Sequence, residues 1–153
     1  LMKEKSGRVL FDNIAANAYF RRKNAFLVMQ DPNYQLFADS VENELLLNVS
    51  GDKPDEAAVG EVLRDMDLES MRDRHPLSLS GGQKQRLCIA LAALSPAKVL
   101  LFDEPTSGLD YRNMRHVSDM IQKIAGKGKA VLVISHDGEF LNMVCTRILS
   151  LSR

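Results

Sequence analysis

Three short runs of branched apolar residues constrain this chain more than any other feature: AFLVM at 25–29, VLLF at 99–102 and AVLVIS at 130–135. Unbroken apolar runs of this length, unlike alternating ones, suit parallel strands covered on both faces. RVLF at 8–11 is a fourth candidate strand, and RILSLS at 147–152, which alternates more, predicts an edge strand. Helical patterns lie between them. ENELLLNV and DEAAVGEVLRDMDL space their apolar residues three or four apart. KQRLCIALAALS reads as a helix apolar round most of its circumference. RNMRHVSDMIQKIAGKG sets Met114, Val117, Met120, Ile121 and Ile124 on one side and stops at a glycine-lysine turn. Strands and helices alternating on this scale predict an α/β domain with a largely parallel sheet. Residues 38–93 hold no convincing strand, so the expected division is a core from 1–37 and 94–153 around a helical insertion at 38–93.

Composition narrows the partners. At 153 residues the chain suits one domain, able to bury roughly 68–70% of its unfolded surface. Lys and Arg balance Asp and Glu at 20 each, so no net field favours nucleic acid or an anionic bilayer. Cys88 and Cys145, the only cysteines, make no disulfide framework or zinc site and fit a reducing cytosol. The longest nearly apolar run, LCIALAAL, falls far short of the roughly 20 residues that cross a bilayer. The opening LMKEKSGRVLF is charged too early for a secretory signal. The expectation is a soluble cytosolic domain.

In open α/β sheets, ligands gather outside the carboxyl ends of the strands. After VLLF come Asp103, Glu104 and Pro105; after AVLVIS come His136 and Asp137; after AFLVM come Gln30 and Asp31. Three strands thus deliver carboxylates, an imidazole and a carboxamide to one rim. Such groups suit a site that holds magnesium, orients water and hydrolyses a phosphoanhydride. Asp103 is the magnesium-side carboxylate, and Glu104, pointing to the other side, can polarise an attacking water. Each piece alone has an ordinary explanation: a solvated strand end, a turn, a helix cap. Their combination and order do not.

LSLSGGQKQRLCIALAAL at 77–94 is a polar, glycine-paired cluster running into an apolar helix. Helix starts present unpaired N–H groups and partial positive charge, and paired glycines let backbone approach an anion closely. Ser80 can cap this helix.

At this point the chain resembles the ATP-binding cassette (ABC) ATPases. LSLSGGQKQR looks like their signature motif, with Leu79, Ser80, Gly81, Gly82 and Gln83 matching its core. VLLFDEP looks like the Walker B strand, SGLD like the D-loop ending in Asp110, VISHD like the switch-histidine motif with His136, and VMQDP like the Q-loop with Gln30. The resemblance implies a P-loop NTPase-like (RecA-like) parallel core with an inserted all-helical subdomain. It implies ATP and magnesium as ligands, and a dimer in which Ser80, Gly81, Gly82 and Gln83 grip a nucleotide held by the second ATPase subunit. Glu104 and His136 would then be catalytic, Asp103 and Gln30 would stand at the metal, and Asp110 would couple the two half-sites.

The phosphate-binding loop G-x-x-x-x-G-K-[ST] is absent from these 153 residues. LMKEKSGRVLFDN resembles the end of the helix after that loop, followed by the next strand. The core is therefore expected to be incomplete at its N-terminus, with apolar sheet edges uncovered, and the chain alone is expected to be inactive as an ATPase. About 50 residues separate Gln30 from Ser80, which fits a transporter-type subdomain. QDPNYQLFADSVENEL resembles energy-coupling-factor importers of vitamins or transition-metal ions. That implies a transmembrane partner subunit and a place at the cytoplasmic face of the membrane, with no nucleic-acid partner; Tyr34, Leu36 and Phe37 are the candidates for the subunit contact, with packing of the subdomain by Leu36 and Phe37 the equal alternative. Alternatives are a non-hydrolysing partner supplying only a signature face, or a soluble ABC ATPase in translation or DNA repair. Asp39 or Ser40 is expected to cap the following helix, Cys88 to be buried and His116 to be solvated; Lys84 and Arg86 are expected to be solvated, with direct phosphate contact the alternative.

Overall fold

The computed structural model describes residues 7–48 and 55–150. A short antiparallel hairpin, β1 (Leu10–Phe11) and β2 (Ile14–Ala15), precedes α1 (Ala18–Asn24). The parallel sheet follows, built from β3 (Ala25–Val28), β4 (Val99–Asp103) and β5 (Ala130–Ile134) in the order β3-β4-β5. Between β3 and β4 come α2 (Val41–Leu46), α3 (Glu56–Asp65) and the 14-residue α4 (Gly81–Leu94). Helix α5 (Tyr111–Gly126) joins β4 to β5, and α6 (Gly138–Val144) follows β5.

Helix starts follow the local chemistry. Ser40 caps α2 by accepting from the Asn43 N–H, and Asp55, Asp110 and Asp137 do the same for α3, α5 and α6. Helix α5 buries Met114, Val117, Met120, Ile121 and Ile124, the stripe its spacing predicts. In α4, residues Leu87 to Ala92 are all buried. This helix packs against β3, α2, α3 and α5 and so forms the spine of the molecule.

The sheet is two-faced. Register aligns Phe26 with Leu100 and Val131, and Val28 with Phe102 and Val133. This layer faces the helices, and Leu100 and Phe102 are fully buried, each contributing about 1.5–3 kcal/mol. The opposite layer aligns Leu27 with Leu101 and Leu132. There Leu27, Leu132 and Ile134 are exposed. The expectation that AVLVIS is covered on both faces is corrected: β5 alternates between exposed and half-buried along its length. The expected apolar exposure was at sheet edges; what the described residues show instead is an exposed apolar sheet face, because they supply helices to one side only.

Other expectations also change. RVLF contributes only Leu10 and Phe11, and these join the hairpin and not the parallel sheet, because Asp12 and Asn13 turn the chain back with positive φ. In RILSLS, residues 147–150 form no strand, while 151 and 152 lie outside the described residues. Helices α1 and α6 were not anticipated, since each is a single seven-residue segment with at most one buried residue and therefore no apolar period to read.

Candidate functional site

Strand β4 ends in Asp103 and the chain turns sharply at Glu104, whose φ of 47° is left-handed. Non-glycine residues rarely adopt that region, and strained backbone of this kind clusters at functional sites. The Glu104 N–H continues the ladder by donating to the Ile134 carbonyl at 2.8 Å. Its side chain is thereby aimed across the end of β5. Ser135 donates its hydroxyl to Oε2 at 3.1 Å, the His136 N–H donates to Oε1 at 3.1 Å, and His136 Nδ1 lies 2.8 Å from Oε1. The Ser135 hydroxyl also accepts from the Asp137 N–H, which fixes the turn.

Burial raises the Glu104 pKa, but the bonds from His136 and Ser135 outweigh it and the net shift is downward. The same carboxylate raises the pKa of His136 by hydrogen bond and charge. With Nδ1 donating to Glu104, the rest of the imidazole, 85% exposed, presents Nε2 outward. This arrangement holds a carboxylate anionic beside an imidazole whose second nitrogen is available to a ligand.

Asp103 is half-buried next to this pair, and its side chain makes no hydrogen bond or ion pair with any described residue. Gln30, two residues beyond β3 on the same rim, is exposed and its side chain is likewise unbonded. The described residues contain no cluster of three or more His, Cys, Asp or Glu side chains able to hold a metal. A single free carboxylate, with the Gln30 carboxamide elsewhere on the same rim, fits magnesium, which keeps its waters and is shared between one or two carboxylates and substrate phosphates. It does not fit a dedicated protein cage.

The start of α4 is organised by a capping box. Ser80 Oγ accepts from the Gln83 N–H, while Gln83 Oε1 accepts from the Ser80 N–H at 2.8 Å. The Lys84 N–H is taken by the Ser80 carbonyl. That leaves the N–H groups of Gly81 and Gly82 without partners among the described residues, and a Cβ at Gly81 would meet nothing within 4 Å. Two free donors at a helix start form an anion-facing surface. Gln83 therefore serves its own helix with its carbonyl oxygen and has only its amide donors to offer a ligand.

The structure brings Asp103, Glu104 and His136 together. No hydrogen bond between described residues joins the signature turn to them. Asp110 caps α5 and also accepts from Asn113 Nδ2. Several expectations are corrected. Lys84 donates to Asn33 Oδ1, and Arg86 donates to the Met66 carbonyl and Asn113 Oδ1, so both side chains tie elements together. His116 is half-buried and its Nε2 has no partner among described residues. Leu36 is buried, whereas Tyr34 and Phe37 are 72% and 80% exposed. Sequence reasoning missed Gln35, which bridges the end of β3 by accepting from the Met29 N–H and donating to the Leu27 carbonyl. It also missed Ser135 and Asn113. The serine and glutamine three apart at 80 and 83 were a readable sign of the box; the tertiary bonds left none.

Residues 1–107 match the family model described as ABC transporter. A putative ABC transporter ATP-binding protein of Treponema denticola is 45% identical over 99% of this chain and 31% of its own length. The energy-coupling factor transporter ATP-binding protein EcfA1 of Thermotoga maritima is 31% identical over 91% of this chain and 55% of its own length. The chain thus spans roughly a third to a half of these two relatives. Among solved structures, cbiO1 from Clostridium perfringens, part of the ABC transporter complex cbiONQ, superposes with a TM-score of 0.80 at 29% identity. That match covers 95% of this chain and 62% of cbiO1. The family model spans well over half of these residues and the relatives carry the same description: the chain belongs to the ABC transporter family of ATP-binding proteins.

Proposed function

We propose that this chain is part of the ATP-hydrolysing subunit of an ABC importer of the energy-coupling-factor type, carrying a vitamin or a metal ion. The Glu104–His136 pair, at 2.8 Å, supports hydrolysis more than any other observation. Glu104 is held anionic, so it orients and polarises water and is a poor store for its proton. His136 offers Nε2 to the terminal phosphate. Asp103 and Gln30 supply oxygen donors on the metal side; bound with ATP, magnesium would neutralise phosphate charge. The retained pair weighs against a partner that contributes only a signature face.

Ser80, Gly81 and Gly82 serve a nucleotide held chiefly by a second cassette, alike or different, through the two free N–H groups and the Ser80 hydroxyl hydrogen. Asp110 stands at the seam between the two. Residues 38–93 form the helical subdomain. Tyr34 and Phe37, exposed beside α2, are the contact for a transmembrane subunit, which places the protein at the cytoplasmic membrane face. Among the described residues no helix is long and apolar enough to cross a membrane. Residues 1–153 contain no phosphate-binding loop, so by themselves they hydrolyse ATP negligibly.

The test uses a full-length cassette carrying this sequence behind a phosphate-binding segment. Glu104→Gln is expected to abolish turnover and to leave ATP-held dimers visible by size-exclusion chromatography. Unchanged turnover would overturn the assignment.

A further inference from the structure

The D-loop and the signature turn touch at two independent points within one chain. At Gly82, a Cβ would stand 3.6 Å from Leu109 Cδ2, in ordinary van der Waals contact, so the D-loop leucine lies over the first turn of α4. The second point is polar. Asn113 Nδ2 donates to both Asp110 oxygens at 3.1 Å, while its Oδ1 accepts from Arg86 Nη1 at 3.2 Å. Arg86 Nε in turn donates to the Met66 carbonyl at 2.9 Å, where α3 ends. The amide orientation is unambiguous, because a carboxylate only accepts and a guanidinium only donates. One planar amide therefore bonds the D-loop aspartate on one side and the signature helix on the other. If Asp110 moves, the amide cannot follow it and keep Arg86.

We propose that Asn113 and Arg86 are positioning residues that join the D-loop to the signature helix, so that the state of one nucleotide site is felt at the turn serving the other. The inference rests on the two-site reading above and adds to it a specific carrier. Asp110 and the Gly81–Gly82 turn then shift as one body, and α3 moves with them through Met66.

Hydrolysis is measured against ATP concentration in the full-length cassette. Asn113→Ala is expected to lower the Hill coefficient towards 1 and kcat by about 2- to 30-fold, with KM changed far less. Asn113→Asp keeps an acceptor for Arg86 but sets a like charge against Asp110. It should lose cooperativity as Asn113→Ala does while melting closer to the unsubstituted protein, which separates positioning from folding. Lys123→Ala removes a direct tie between α3 and α5, the ion pair with Asp65, and should leave cooperativity intact. Unaltered cooperativity and kcat in both Asn113 variants, with Glu104→Gln inactive, would overturn the relay alone. A Glu104→Gln cassette that still turns over would overturn the reading beneath it.

Discussion

The two faces of the sheet predict very different costs for the same chemical change. Leu100 and Leu132 lie on adjacent strands, β4 and β5, but Leu100 is fully buried while Leu132 is 53% exposed. Truncating Leu100 removes packed methyl groups and leaves a cavity beneath the helices, a loss of about 2–5 kcal/mol. Truncating Leu132 forfeits only the part of its side chain that is covered. Scaling the burial value of about 1.5–3 kcal/mol by that half coverage gives about 1 kcal/mol. With a urea slope of about 2 kcal/mol/M, Leu100→Ala should move the unfolding midpoint down by about 1–2.5 M. Leu132→Ala should move it by about 0.5 M or less. Urea unfolding of residues 1–153, followed by far-UV circular dichroism at two protein concentrations, reads both shifts. Equal costs at the two positions, independent of concentration, would mean that the face holding Leu132 is covered within the monomer, and the two-faced description would be wrong.

Two further outcomes follow from the charged and nucleophilic groups. The pKa of His136 is raised by Glu104, so this pairing stabilises the fold fully below about pH 6.5 and is lost as pH rises through the higher folded value. Glu104, lowered on balance, contributes above about pH 4.5 and loses its contribution as pH falls through the lower folded value. A proton NMR titration should therefore find His136 above 6.5, returning towards it in Glu104→Gln; no difference between the two would refute the pair. Burial pushes the Cys88 thiol up to about 12. A thiol reagent should therefore modify the half-buried Cys145 first and reach Cys88 only on unfolding; comparable rates would refute its burial.

Much of this was legible in the sequence because apolar periodicity and helix caps are local signals. The three strands, the α5 stripe and the cap at Ser40 follow from residues within one turn or one strand of each other. The rim groups were legible because each sits directly after an apolar run. What the sequence hid was non-local. Whether β5 is covered depends on what packs above it, and no residue of AVLVIS encodes that. Arg86 and Asn113 lie 27 positions apart, and neither differs in type from a solvated helix residue. Leu36 and Phe37 are adjacent and both apolar, yet one is buried and the other bare. The Glu44 carboxylate decides this by accepting the N–H groups of Phe37 and Ala38, both at 2.7 Å, and so fixing the bend in the loop.

The left-handed main chain at Glu104 has a consequence for any survey of replacements there. What is permitted will sort first by torsional tolerance and only then by charge. Asparagine and glycine keep the bend and discard the carboxylate, whereas valine or isoleucine would resist the torsion and drag Asp103 and Pro105 with them. Loss of activity in a β-branched variant would then report a displaced peptide, whereas the first group, together with the unbranched isostere in Glu104→Gln, isolates what the acid itself does.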